Sequence, residues 1–129
     1  MMIQKSVTEE MHHAETCLRS AKVNLDNDIP DAASDRLYYA AFHATRALLV
    51  ARDIVTKSHK GVYSMLNQRL VKEGPLATTD SQLYGQLMSL RATAGYGSFT
   101  ALTGDEARAY LPQVEAFVAH AEALLDADA

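Results

Sequence analysis

Two short stretches carry side chains able to handle a phosphate group. In "RLYYAAFH", residues 36–43, the helical repeat of about 100° per residue places Arg36, Tyr39, His43 and the following Arg46 on one strip. Guanidinium neutralises phosphate charge and imidazole moves a proton near neutral pH, so the pair suits phosphodiester chemistry. Tyrosine and arginine also favour subunit contacts, and taken alone the strip reads first as a partner-facing surface. In "RATAGYG", residues 91–97, an arginine is followed by small residues and a tyrosine fenced by Gly95 and Gly97. Gly95 can release a helix and leave Tyr96 at its end. Arg91 would then clamp a phosphate while Tyr96 stacks on a base. Taken alone, Arg91 could instead pair with a carboxylate, and Tyr96 could cover the core.

Other constellations lead nowhere. "EEMHH", residues 9–13, has the Glu-x-x-His spacing of a di-iron bundle, but no second pair and no further carboxylates complete it. It reads as a solvated helix start, and neither a metal nor a cofactor is expected. Phosphate-loop and dinucleotide fingerprints are missing, because "GYGS" follows a helix and lacks the spacing. Cys17, the single cysteine, lies in an apolar-periodic segment and reads as inert packing.

Helices must position these residues. Met11, Ala14, Leu18, Ala21 and Leu25 recur at steps of three and four, with Ser6 and Glu9 as a capping box. "DNDIPD" breaks the chain, Asp28 capping a second helix from Pro30 to about Asp53. That helix turns Leu37, Ala41, Ala44 and Leu48 inward, flanked by Tyr38, Phe42, Thr45 and Leu49. "VTKSHKG" reads as a loop, and Val62, Leu66 and Leu70 define a short third helix ending near Gly74. Thr79 and Gln82 cap a fourth helix carrying Leu83, Leu87 and Leu90. Thr103 and Glu106 cap a fifth, with Pro112 placed to bend it or to split off a first segment. Strand alternation is nowhere sustained. The expected fold is all-α: one domain over residues 1–129, a compact antiparallel bundle of four to five helices.

Charge narrows the partners. The net charge is −4, which argues against a general binder of duplex DNA. The excess is local: from Gly104 onward six carboxylates face only Arg108, leaving room for a basic surface elsewhere. The first residues have no apolar core of a signal peptide, no run approaches bilayer length, and a lone cysteine fits a reducing compartment. A cytoplasmic location is expected, with no membrane contact.

Three segments together resemble the HEPN domains (higher eukaryotes and prokaryotes nucleotide-binding), in particular the small stand-alone UPF0332 type. They are "AASDRLYYAAFHATRALL" at 32–49, "SHKG" at 58–61 and "LRATAGYGS" at 90–98. The resemblance implies a helical bundle that forms homodimers, often encoded beside a small nucleotidyltransferase as toxin and antitoxin. Active HEPN ribonucleases share an arginine followed, after four to six residues, by a histidine. Two copies meet across a dimer and cleave RNA without metal, the arginine holding the phosphate and the histidine assisting proton transfer. Here Arg91 is in place, but Tyr96 stands where the histidine would be. Tyrosine, with a pKa of about 10, is a poor base at neutral pH. The pattern Arg-x-x-Ala-Asp-Tyr, familiar in this subfamily, is matched by Arg91, Ala94 and Tyr96, with Gly95 in place of the acid. Arg36 and His43 have an arginine–histidine spacing of their own, on the second helix.

The expectation is therefore a dimeric HEPN module that binds nucleotide or RNA phosphate through Arg36, Tyr39, His43, Arg91 and Tyr96. It is also a candidate partner of a small nucleotidyltransferase, with Tyr96 a target for modification. The rival is a metal-independent endoribonuclease toxin with Arg91 as clamp and His43 as proton carrier. A third reading is a protein-interaction bundle without a nucleotide role.

Overall fold

The computed structural model describes residues 2–95 and 103–128. Within them lie five α-helices and no strand: α1 (Met2–Asp26), α2 (Pro30–Val50), α3 (His59–Met65), α4 (Thr78–Gly95) and α5 (Gly104–Asp128). A π-helical segment, Leu66–Val71, continues α3. None of these helices is long and apolar enough to cross a membrane.

α2 is the hub and packs against each of the other four helices. Its sequence explains why. Ala33, Ala40, Ala41, Ala44 and Ala47 are fully buried, so neighbouring backbones approach closely, while Leu37, Leu48 and Leu49 fill the space between them. Ala14 and Ala21 of α1 and Val114, Phe117 and Val118 of α5 complete the same core. The inward and flanking residues expected on α2 are all buried. Thr45 is tolerated there because its hydroxyl donates to the Ala41 carbonyl at 2.8 Å.

The helix ends differ from expectation in instructive ways. α1 begins at Met2, so Ser6 and Glu9 lie inside it rather than at a cap. Asp28 does not cap α2. It takes a left-handed conformation (φ 58°), which aspartate tolerates, and the N-cap is Ile29 without a side-chain bond. The Asp28 carboxylate instead meets Arg108 of α5, which also donates to the Leu25 carbonyl at 3.0 Å and satisfies the end of α1. α2 stops at Val50, three residues early, and Asp53 (φ 63°) turns the chain so that the Ile54 N–H donates to the Leu49 carbonyl at 2.9 Å.

The last three of the seven residues of the expected loop "VTKSHKG" are helix: Ser58 accepts from the Gly61 N–H at 2.9 Å and starts α3 at His59. The α4 cap is also shifted, the Asp80 carboxylate accepting from the Ala77 N–H at 2.8 Å in place of Thr79 and Gln82. For α5 the capping box holds. Thr103 Oγ1 accepts from the Glu106 N–H at 3.1 Å, and the Glu106 carboxylate accepts from the Thr103 N–H at 3.5 Å. Pro112 lies within one continuous helix.

Candidate functional site

The strip on α2 exists as the repeat predicts. Arg36, Tyr39, His43 and Arg46 are all partly exposed beside the buried face of that helix. What the fold adds is Arg91. α4 packs on α2, and near its end Arg91 extends across Tyr39. Its guanidinium lies 5.0 Å from the Tyr39 ring centre and 5.3 Å from that of Tyr38, and donates to the Tyr39 hydroxyl at 3.2 Å. The Arg36 guanidinium sits 5.1 Å from the same Tyr39 ring. Two cations thus share one aromatic support, each stabilised by the negative face of the ring. Tyr96 lies outside the described residues.

One carboxylate bridges the two arginines. Asp35 Oδ1 accepts from Arg91 Nε at 2.9 Å, while Oδ2 accepts from Arg36 Nε and Nη2 at 3.1 and 2.6 Å. Burial alone would raise the Asp35 pKa, but the hydrogen bonds and charges of Arg36 and Arg91 outweigh it and hold the carboxyl below its ordinary value. Both guanidinium pKa values move up, first because of the bond to Asp35. The cluster remains open: the Arg91, Arg36 and Asp35 side chains are 42%, 36% and 38% exposed.

A second carboxylate does the same further along the strip. Glu10 of α1 lies 3.3 Å from His43 Nδ1 and 3.4 Å from Arg46 Nε, with only 14% of its side chain exposed. Burial pushes its pKa up, yet the bond to His43 and the charges of Arg46, His43 and His13 prevail and lower it. The solvated helix start expected for "EEMHH" is thus corrected: Glu10 turns inward, and the His13 ring lies 5.2 Å from that of His43. The sequence held a signal for this, because Glu10 extends the buried series Ala14, Cys17, Ala21 at helical steps.

Between the two carboxylates stands His59, the first residue of α3. Its ring stacks on Phe42 at 4.6 Å and meets Tyr39 edge-on at 5.5 Å, and its Nδ1 lies 2.7 Å from the hydroxyl of the buried Tyr38. Burial first, then the positive charges of Arg91, Arg46 and His43, depress its pKa and favour the neutral imidazole. Sequence reasoning assigned no chemistry to Asp35 or His59. The first is merely adjacent to Arg36, and the second lay in a segment read as loop. Cys17 is buried, its thiol pushed up by desolvation, as befits packing; Arg36 Nη1 touches its sulfur at 3.6 Å.

The arrangement can neutralise and orient an anionic group at Arg36 and Arg91, beside the rings of Tyr39 and His59. Among the described residues no cluster of histidine, cysteine or carboxylate fit to hold a metal ion occurs.

Known proteins resemble this chain over most of its length. The family model described as "HEPN domain" matches residues 8–124, nearly the whole chain. A UPF0332 protein of Thermotoga maritima is 28% identical over 123 residues, covering 95% of this chain and 93% of its own. A protein of Methanocaldococcus jannaschii named "Putative toxin MJ0605" is 31% identical over 121 residues, covering 91% and 90%. A second from that organism, named "Putative toxin MJ0142", is 24% identical over 115 residues, covering 89% and 78%.

Proposed function

Because the chain belongs to the HEPN domain family, we propose that it is a binding module for RNA or nucleotide phosphate, acting within a toxin–antitoxin pair. The observation that carries this reading is the convergence of Arg36 and Arg91, from two different helices, on the ring of Tyr39. Charge-assisted bonds from two guanidinium groups suit phosphate, and the adjoining rings suit a base. As part of the same proposal the protein is a homodimer that pairs two such strips, and its partner is a small nucleotidyltransferase. The names of the two Methanocaldococcus relatives support the toxin setting.

The test is a titration of a short fluorescent RNA, and of ATP, into the purified protein. Arg91→Ala should weaken binding about tenfold, the worth of a charged hydrogen bond, without unfolding the protein. Unchanged affinity in that variant would remove the site from the account. No binding of RNA or ATP by the native protein would leave a protein-interaction bundle.

A metal-independent endoribonuclease is the second reading, favoured by the imidazoles of His43 and His59 beside Tyr39. Incubating the protein with labelled RNA in EDTA separates the two. Cleavage lost in both Arg91→Ala and His43→Ala would establish the nuclease.

A further inference from the structure

We propose that Asp35 occupies the seat of the ligand phosphate, so that binding proceeds by displacement of its carboxylate from Arg36 and Arg91. The inference rests on the reading of the strip as a phosphate site and assigns where on it the phosphate enters.

Geometry distinguishes Asp35 from a residue that merely positions the arginines. Both guanidinium groups are held independently of it: each lies over the Tyr39 ring at about 5 Å, and Arg91 also bonds the Tyr39 hydroxyl at 3.2 Å. Removal of the carboxylate therefore leaves two oriented cations. A phosphate, like the carboxylate, presents oxygens that accept from both guanidinium groups at once. The competing carboxylate is also accessible: at 38% exposed it can swing into water without leaving a buried charge.

The other bridged pair fails this criterion. Glu10, which links His43 to Arg46, is 14% exposed and anchored on α1. Its expulsion would carry a largely buried carboxylate out of the packing and break its contacts with both His43 and Arg46, a cost that open groups do not meet. Phosphate therefore enters at Asp35 and not at Glu10.

An internal occupant lowers the apparent affinity of every ligand by the same factor, set by the fraction of molecules in which the seat is vacant. Single phosphates then bind too weakly to hold the site. Only a ligand with further contacts, to the rings of Tyr39 and His59 or through additional phosphates, overcomes the penalty. The ratio of affinities is unchanged, but the seat stays clear of the free phosphate of the surrounding solution while a polynucleotide still fills it.

The experiment compares the affinity of a short single-stranded RNA for the native protein, Asp35→Asn, Asp35→Ala, Glu10→Gln and Arg91→Ala over a range of salt concentrations. Both Asp35 variants should bind about fivefold tighter, the upper worth of an exposed ion pair. The slope of log affinity against log salt should stay the same, because the native protein makes the same phosphate contact once Asp35 is displaced. Glu10→Gln should bring no gain. Weaker or unchanged binding by folded Asp35 variants would overturn the proposal, as would an equal gain in Glu10→Gln. Native binding that Arg91→Ala leaves intact would instead sink the phosphate site itself, so the two failures are distinguishable.

Discussion

Arg91 contributes to the candidate site through contacts that lie far from it in the chain: Asp35, Tyr38 and Tyr39 all belong to α2. His59 depends on the same cations. Its burial and the neighbouring charges of Arg91, Arg46 and His43 favour the neutral imidazole, so its titration reports the integrity of the cluster. An NMR titration should place the His59 transition below the ordinary histidine value of 6.5, and Arg91→Ala should move it upward. The sign follows from charge, because removing a nearby cation relieves the penalty on protonation. By linkage, the stability that the neutral imidazole contributes is present above 6.5 and is lost as pH falls through its lowered folded value. An unshifted His59 that ignores Arg91→Ala would place the imidazole outside the cluster. The strip of Arg36, Tyr39, His43 and Arg46 was legible in the sequence, because four residues on one helix obey a local repeat. Asp35 as a bridge and His59 as a neighbour were not legible, because both depend on how α3 and α4 cross α2, which no local spacing records.

At the scale of elements, the same distinction separates what periodicity reveals from what it does not. The order of the helices and the buried face of α2 follow from apolar spacing, and the α5 cap follows from Thr103 and Glu106. Ends decided by tertiary contacts were missed. Asp28 is drawn to Arg108 of α5 instead of capping α2, and Ser58 makes helix of a segment that polar composition marks as loop. The π-helical segment was not anticipated either. It buries Leu66 and Leu70 and ends at Val71; at Gly74, just beyond it, a Cβ would meet the Arg69 and Leu70 carbonyls at 2.8 Å.

Behind the strip, the packing of α3 on α4 stacks Tyr63 on Tyr84, whose rings lie 5.4 Å apart. Among the described residues the Tyr84 hydroxyl is the buried side-chain polar atom without a hydrogen-bond partner. A buried hydroxyl without a partner costs about 1 kcal/mol or more. Tyr84→Phe should therefore leave the denaturation midpoint unchanged or raise it by about 1 kcal/mol of stability. A marked loss in chemical denaturation would show that the hydroxyl is satisfied and that the aromatic cluster is arranged differently.

For the molecule as a whole, a net charge of −4 coexists with a local cationic strip. Carboxylates accumulate on α5, where Glu122 has its pKa raised, first by a hydrogen bond with Glu15 of α1 and then by burial. Asp35 and Glu10 are carboxylates within the strip, and each is already engaged, Asp35 by Arg36 and Arg91 and Glu10 by His43 and Arg46. Such a molecule attracts polyanions weakly at long range, and its recognition depends on a few oriented groups. The most direct measurement follows the arginine Nε–Hε resonances during addition of a short single-stranded RNA. The signals of Arg36 and Arg91 should shift together and saturate with the binding curve, while those of Arg52, Arg69 and Arg108 stay in place. Shifts confined to the latter three, or none at Arg36 and Arg91 at saturation, would contradict the account.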